Sequence, residues 1–152
     1  MLPDRFTRNA IPSIRKLLGV ILVSTMFGAG FVRYVQLVDG GGPVLDILAV
    51  YGLWSLSAIS IVVAALPTAW GYSVSYSYAI PFGLLFGAVS VTGIAYTGQP
   101  PSQLEKFGFG LLIGVGSALT LGTLAAILGT LWKQIIAVLR RRKKPSHSNE
   151  LI

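Results

Sequence analysis

The sequence predicts an all-α integral membrane protein, a four-transmembrane-helix antiparallel bundle with both termini in the cytoplasm. Three observations carry this. Residues 47–104 contain no Asp, Glu, Lys, Arg or His; an uncharged run of that length cannot wrap one soluble core, whereas two membrane helices and a short turn use it naturally. Residues 107–132 form a second uncharged run, followed by the cation block Arg140, Arg141, Arg142, Lys143 and Lys144. The chain is also 53% hydrophobic and only 11% charged, against about 25% charged in ordinary soluble domains. Its 152 residues leave room for one domain, divided into a basic cytoplasmic lead (1–16), a membrane domain (17–139) and a basic, disordered cytoplasmic tail (140–152).

The lead holds Arg5, Arg8, Arg15 and Lys16 against Asp4, and Pro3 and Pro12 oppose a long helix there. Ser13 is a candidate cap for a helix running into the first span, expected at about 17–38. That run is apolar apart from Arg33 and long enough to cross a bilayer at about 1.5 Å per residue. A basic lead, an apolar run and the small Gly28, Ala29 and Gly30 also describe a signal peptide. Lead and run are both long for one, and Arg33-Tyr34 resembles the interfacial end of a retained span.

Asp39-Gly-Gly-Gly-Pro43 is a tight-turn signal, with Pro43 suited to a first helical turn. The second span, about 44–66, is therefore expected to fold back beside the first as a helical hairpin. Asp46 falls in its first turn, where the helix dipole favours a carboxylate. Pro67 is expected to end it. Trp70, Tyr72, Tyr76 and Tyr78 follow among serines, as in an interfacial aromatic belt. The alternation from Tyr72 to Tyr76 also suits a strand, but a lone strand at a membrane has no partner for its backbone. The third span is expected at about 78–97, with Pro81 tolerated in its first turns. Residues 98–106, with Pro100 and Pro101, make a second polar turn. The fourth span occupies about 107–132 and continues as a cytoplasmic surface helix to about 139.

Orientation follows from the cations. Four spans place both ends on one side, which then holds ten Lys and Arg against two, Arg33 and Lys106, on the other. The side richer in Lys and Arg faces the cytoplasm, here the inner face of the cell membrane. The net charge of +7 would suit nucleic acid in a soluble protein, but no polar domain is present to read a groove. The expected partners are membrane lipids, their anionic headgroups meeting the anchor Arg140 to Lys144 at about 1 kcal/mol per cation. The absence of cysteine removes disulfides, thiolate metal sites and thiol catalysis.

Catalysis inside a membrane calls for ionisable side chains, each costing about 2.5–3.5 kcal/mol near mid-bilayer. None is expected at that depth here, and the single histidine, His147, lies in the tail. The chain is expected not to be an enzyme and to carry no cofactor or metal. Arg33, one turn from the end of its span, is expected to snorkel to the interface. Its functional alternative is an anion contact, paired with Asp39 or Asp46 across the hairpin.

One pattern can be counted. Gly110, Gly114, Ala118, Gly122, Ala126 and Thr130 put a small residue at every fourth position of the fourth span, and Ala79, Gly83 and Gly87 repeat this in the third. Small residues four apart let another helix approach closely, while four-residue spacing drifts about 40° per step on a 3.6-residue helix. The seam is expected to pack spans three and four together; self-association of the protein is the alternative. Phe82-Gly-Leu-Leu-Phe-Gly87 and Phe109-Gly-Leu-Leu-Ile-Gly114 are near-copies, a match short enough to arise by chance in a Gly- and Leu-rich background.

Gly28-Ala-Gly-Phe-Val-Arg-Tyr34 resembles, over seven residues, the small-residue-then-Arg-Tyr signature of the small four-span fluoride channels. The second span has no asparagine and the third lacks the Thr/Phe/Ser-rich run of that family. The first-span glutamate of the small multidrug transporters has no counterpart. The functional expectation is thus a non-catalytic accessory, assembly or scaffold subunit, possible homo-oligomerisation included. The alternative is a small channel, pore or holin-like permease involving Arg33.

Overall fold

The computed structural model describes residues 12–39, 44–92 and 101–142, and every element among them is helical. Residues 1–11 of the lead, the expected turn after Asp39, the end of the third span and Lys143 onward lie outside the described residues; residues 14–16, expected in the lead, are already part of the first helix. Helix α1 spans Ile14–Asp39, α2 Val44–Ala69, α3 Ser75–Thr92, α4 Gln103–Ser117 and α5 Thr123–Arg142. A π turn, Ala118–Gly122, joins α4 to α5 without a loop, so they form one rod. Among the described residues three helices are long and apolar enough to cross a membrane, α1, α3 and the α4–α5 rod, and α2 contributes a shorter apolar stretch, Trp54–Ala69.

α1 begins at Ile14, directly after Ser13, the position expected to cap it, and the Ser13 carbonyl accepts from the Lys16 and Leu17 amides at 2.8 and 3.2 Å. Other helix ends depart from expectation. Pro67 does not end α2; it sits inside the last turn, and the helix runs on to Ala69. The stop is Gly71, whose φ of +87° allows the Tyr72 amide to reach the Pro67 carbonyl and the Gly71 amide the Thr68 carbonyl, at 2.9 and 3.0 Å. That pair of bonds is a Schellman closure, which needs a left-handed residue at this position. The helix of the fourth span likewise starts earlier than expected, inside the polar segment 98–106. Ser102 caps α4 reciprocally, its hydroxyl accepting from the Glu105 amide while the Glu105 carboxylate accepts from the Ser102 amide at 2.7 Å. This Ser-x-x-Glu capping box starts the helix at Gln103.

Neither the first nor the fourth helix is the centre of the molecule. α3 is: it touches α1, α2, α4 and the π turn, whereas α1 has little contact with α2. The expected hairpin of the first two spans thus gives way to α1 lying along α3. Within its most apolar stretch α3 is 56% buried, against 6% for α1 and 28% for the rod. Directions follow from the contacts. Ile21 meets Gly83 and Thr25 meets Gly87, so α1 and α3 run the same way; Gly110 meets Phe86 and Gly122 meets Tyr78, so the rod runs opposite to α3. Leu56 of α2 and Leu85 and Ala88 of α3 form the buried core, closed over by Phe31, Val32, Ile113 and Leu121. Most other large apolar side chains, including Leu22, Met26, Trp54, Val62, Leu112 and Leu128, face outward, the distribution of a protein solvated by lipid.

Candidate functional site

Residues 82–87 alternate Phe and Gly between two neighbours. Adjacent helical positions lie about 100° apart, so Gly83 and Gly87 turn toward α1 while Phe82 and Phe86 turn toward α4. A Cβ on Gly83 would stand 2.6 Å from the Ser24 Cβ and 2.7 Å from the Ile21 carbonyl oxygen, and one on Gly87 would strike the Thr25 carbonyl. Gly28 reciprocates from α1, backed against the Leu84 carbonyl. On the other side Gly110 and Gly114 receive the Phe86 and Phe82 side chains; a Cβ on Gly114 would lie 3.1 Å from the Phe86 Cβ and 3.2 Å from the Phe82 ring. The two rings are stacked at 5.7 Å, and Phe107 meets Phe86 edge-on at 5.5 Å.

The small residues therefore fall into two seams. Gly83 and Gly87 face α1, not the fourth span, and Gly110, Gly114 and Gly122 face α3. Gly122 stands against the Ser77 carbonyl and the Tyr78 ring, where a Cβ would be 3.0 and 2.8 Å away. Ala118 is half-buried, Ala126 is buried and Thr130 is exposed. Beyond the π turn the close approach passes to Gly129, where a Cβ would lie 2.6 Å from the Ala65 carbonyl of α2. A strict four-residue spacing drifts off the face of a regular helix; the wider π turn absorbs one residue and restores the seam for one more turn.

Several hydroxyls are used up internally. Ser24 donates to the Val20 carbonyl, Ser60 to Ser57 and Thr92 to Ala88, at 2.8, 2.8 and 3.2 Å. Ser117 donates to the Gly114 and Pro81 carbonyls at 2.8 and 3.1 Å, tying the rod to α3. Such back-bonding removes hydroxyls from the inventory of a polar pathway. The Ser90 hydroxyl, beside Gly110, is buried with no hydrogen-bond partner among the described residues.

Arg33 is exposed near the end of α1, next to exposed Tyr34. The side chains of Asp39 and Asp46 lie outside the described residues, and with them the expected pairing. Arg140, Arg141 and Arg142 form the last turn of α5, their side chains likewise outside; Lys143 and Lys144 lie beyond. Sequence reasoning missed Lys133 as a site residue. Its ammonium reaches the α2 stop, 3.7 Å from where a Gly71 Cβ would sit, and it lines a cavity of about 250 Å³ with Thr68, Tyr72, Ser73, Val74 and Thr130. The available signal was Trp132-Lys133, an interfacial aromatic followed by a cation.

The chain matches no model of a known protein family, no curated protein and no solved structure.

Proposed function

We propose that this protein is a four-span antiparallel membrane bundle with both termini in the cytoplasm, serving as a non-catalytic accessory, assembly or scaffold subunit. Its membrane is the cell membrane, and its basic end meets anionic lipid through Arg140 to Lys144. The observation that carries the reading is the division of its glycines. Gly28, Gly83, Gly87, Gly110, Gly114 and Gly122 are closed by the bundle's own helices, whereas Gly19 and Gly30 on α1 and Gly108 and Gly116 on α4 have nothing within 4 Å of a would-be Cβ. Open glycines on uncovered apolar helices suit a second membrane helix, because lipid supplies no hydrophobic drive and close packing must. The inner seam being occupied, the partner, whether another membrane protein or a second copy, meets α1 or the outer face of α4.

Native mass analysis after gentle detergent extraction tests this. A species larger than one chain is expected, and Gly30→Leu with Gly116→Leu should return it to a monomer with unchanged folded yield. A monomer with no companion at every detergent concentration would defeat the reading. The channel alternative is decided separately by flux from proteoliposomes: a conductance abolished by Arg33→Ala would replace the accessory role.

A further inference from the structure

The cavity at the α2–α3 turn is chemically one-sided. Its lining carries a single charge, the Lys133 ammonium, together with four hydroxyl groups and the apolar wall of Val74. Three hydroxyls are already committed: Thr130 donates to the Ala126 carbonyl at 2.7 Å, Ser73 donates to Ser75 at 3.1 Å, and Thr68 is bonded to Ser77 at 2.7 Å. No hydrogen bond to another described residue engages the Lys133 ammonium or the Tyr72 phenol, so these two donors remain for a ligand. A cation with three N–H groups and a nearby O–H, with no carboxylate in the lining, selects an anion with several acceptor oxygens. α3 begins at Ser75, directly after the lining residues, and the positive end of its dipole adds to the same preference.

The surroundings say which anion. Trp70, Tyr72 and Trp132 are all exposed around this end, and such rings gather at headgroup depth. Leu66 and Val74 are also exposed here, giving an acyl chain apolar surface beside the charged mouth. We infer that the cavity seats the phosphate of one anionic phospholipid, held by Lys133 and Tyr72. The site rests on the proposed membrane orientation, with this end at the cytoplasmic headgroups, and is independent of the accessory role.

The test is lipid retention by native mass spectrometry of the full chain, titrated with phosphatidylglycerol and, separately, phosphatidylcholine. Wild type should hold one phosphatidylglycerol in preference to phosphatidylcholine. Lys133→Gln should weaken that binding roughly tenfold, the scale of one charge-assisted bond, and Lys133→Arg should keep most of it. Tyr72→Phe should weaken it about threefold, the loss of one neutral hydrogen bond. Neutralising Arg140, Arg141 and Arg142 together should leave the preference intact. Equal binding by wild type and Lys133→Gln would overturn the site, as would a loss matched by the arginine triple variant. Displacement of the lipid by millimolar inorganic phosphate would overturn the lipid assignment, since acyl chains would then contribute nothing. A chain that fails to enter membranes would instead sink the membrane reading on which the site rests.

Discussion

The hydroxyls of Thr68 and Ser77 lie 2.7 Å apart in a fully buried setting and join the end of α2 to the start of α3. Ser77 has one hydroxyl proton and gives it to the Ala64 carbonyl, also at 2.7 Å. Thr68 is therefore the donor to Ser77, and the three groups form a closed relay with no idle proton.

The relay sets an order of costs. Ser77→Ala leaves the Thr68 hydroxyl without its acceptor, but Thr68 can turn back to the Ala64 carbonyl four residues earlier, so the loss should be about 1 kcal/mol. Ser77→Val adds methyls to a site with no room and should cost more, about 1–3 kcal/mol. Thr68→Val should cost least, because the Ser77–Ala64 bond survives. Unfolding midpoints in detergent report the order; a Thr68→Val loss exceeding that of Ser77→Ala would contradict the assigned proton direction.

A bulky residue at Gly87 and one at Gly30 should behave oppositely. Gly87→Leu drives a side chain into the Thr25 backbone, which cannot yield as a side-chain tip can, and α1 should separate from α3 with a loss of at least about 3 kcal/mol. Gly30→Leu meets open space and should leave monomer stability within about 0.5 kcal/mol. Protease sensitivity in micelles gives the comparison.

At Gly71 the backbone rather than the space is limiting. Gly71→Ala must hold a left-handed conformation at a cost of about 1–2 kcal/mol, without touching the core. The Lys133 ammonium, 3.7 Å from the added methyl, needs no displacement. Thermal unfolding should fall accordingly, whereas an unchanged midpoint would mean that the Schellman closure is not what stops α2.

The chain has no cysteine, so single introduced thiols map its orientation cleanly. Ser73→Cys, at the turn after α2, should react with a membrane-impermeant maleimide only in inverted vesicles or after lysis. Ser102→Cys, at the cap of α4, should react in intact cells. Both residues reacting from the same side would exclude the four-span arrangement.

Much of the helix plan was legible because membrane helices announce themselves by composition. Uncharged runs located α1, α3 and the rod, and the expected continuation of the last helix extends to Arg142. Ser13 and Pro43 stand directly before the helices they are expected to start, while proline misplaces the end of α2 and the start of α4. Pro67 has no amide to give the Val63 carbonyl, yet its own carbonyl still accepts from the Tyr72 amide, whereas Gly71 and the Ser102–Glu105 pair determine where α2 stops and α4 starts. The central position of α3 could not be read from its pattern, since a helix apolar all round has no preferred face in sequence. Nor could the partition of 82–87 between two neighbours: spacing says that glycines share a face, not which helix occupies it. Lys133 became a site residue only through a loop more than sixty positions earlier, a proximity that no local signal encodes.

The π turn has a consequence for that proximity. One residue more than a regular helix needs rotates everything downstream by about 100°. Lys133 stands roughly 16 Å beyond Gly122 along the rod, yet its azimuth is chosen at Ala118–Gly122. Deleting Leu119 would regularise the helix and swing the ammonium a quarter-turn or more away from Gly71, carrying the final arginines with it. The phase of the whole basic end is thus set inside the bundle, by a single surplus peptide unit.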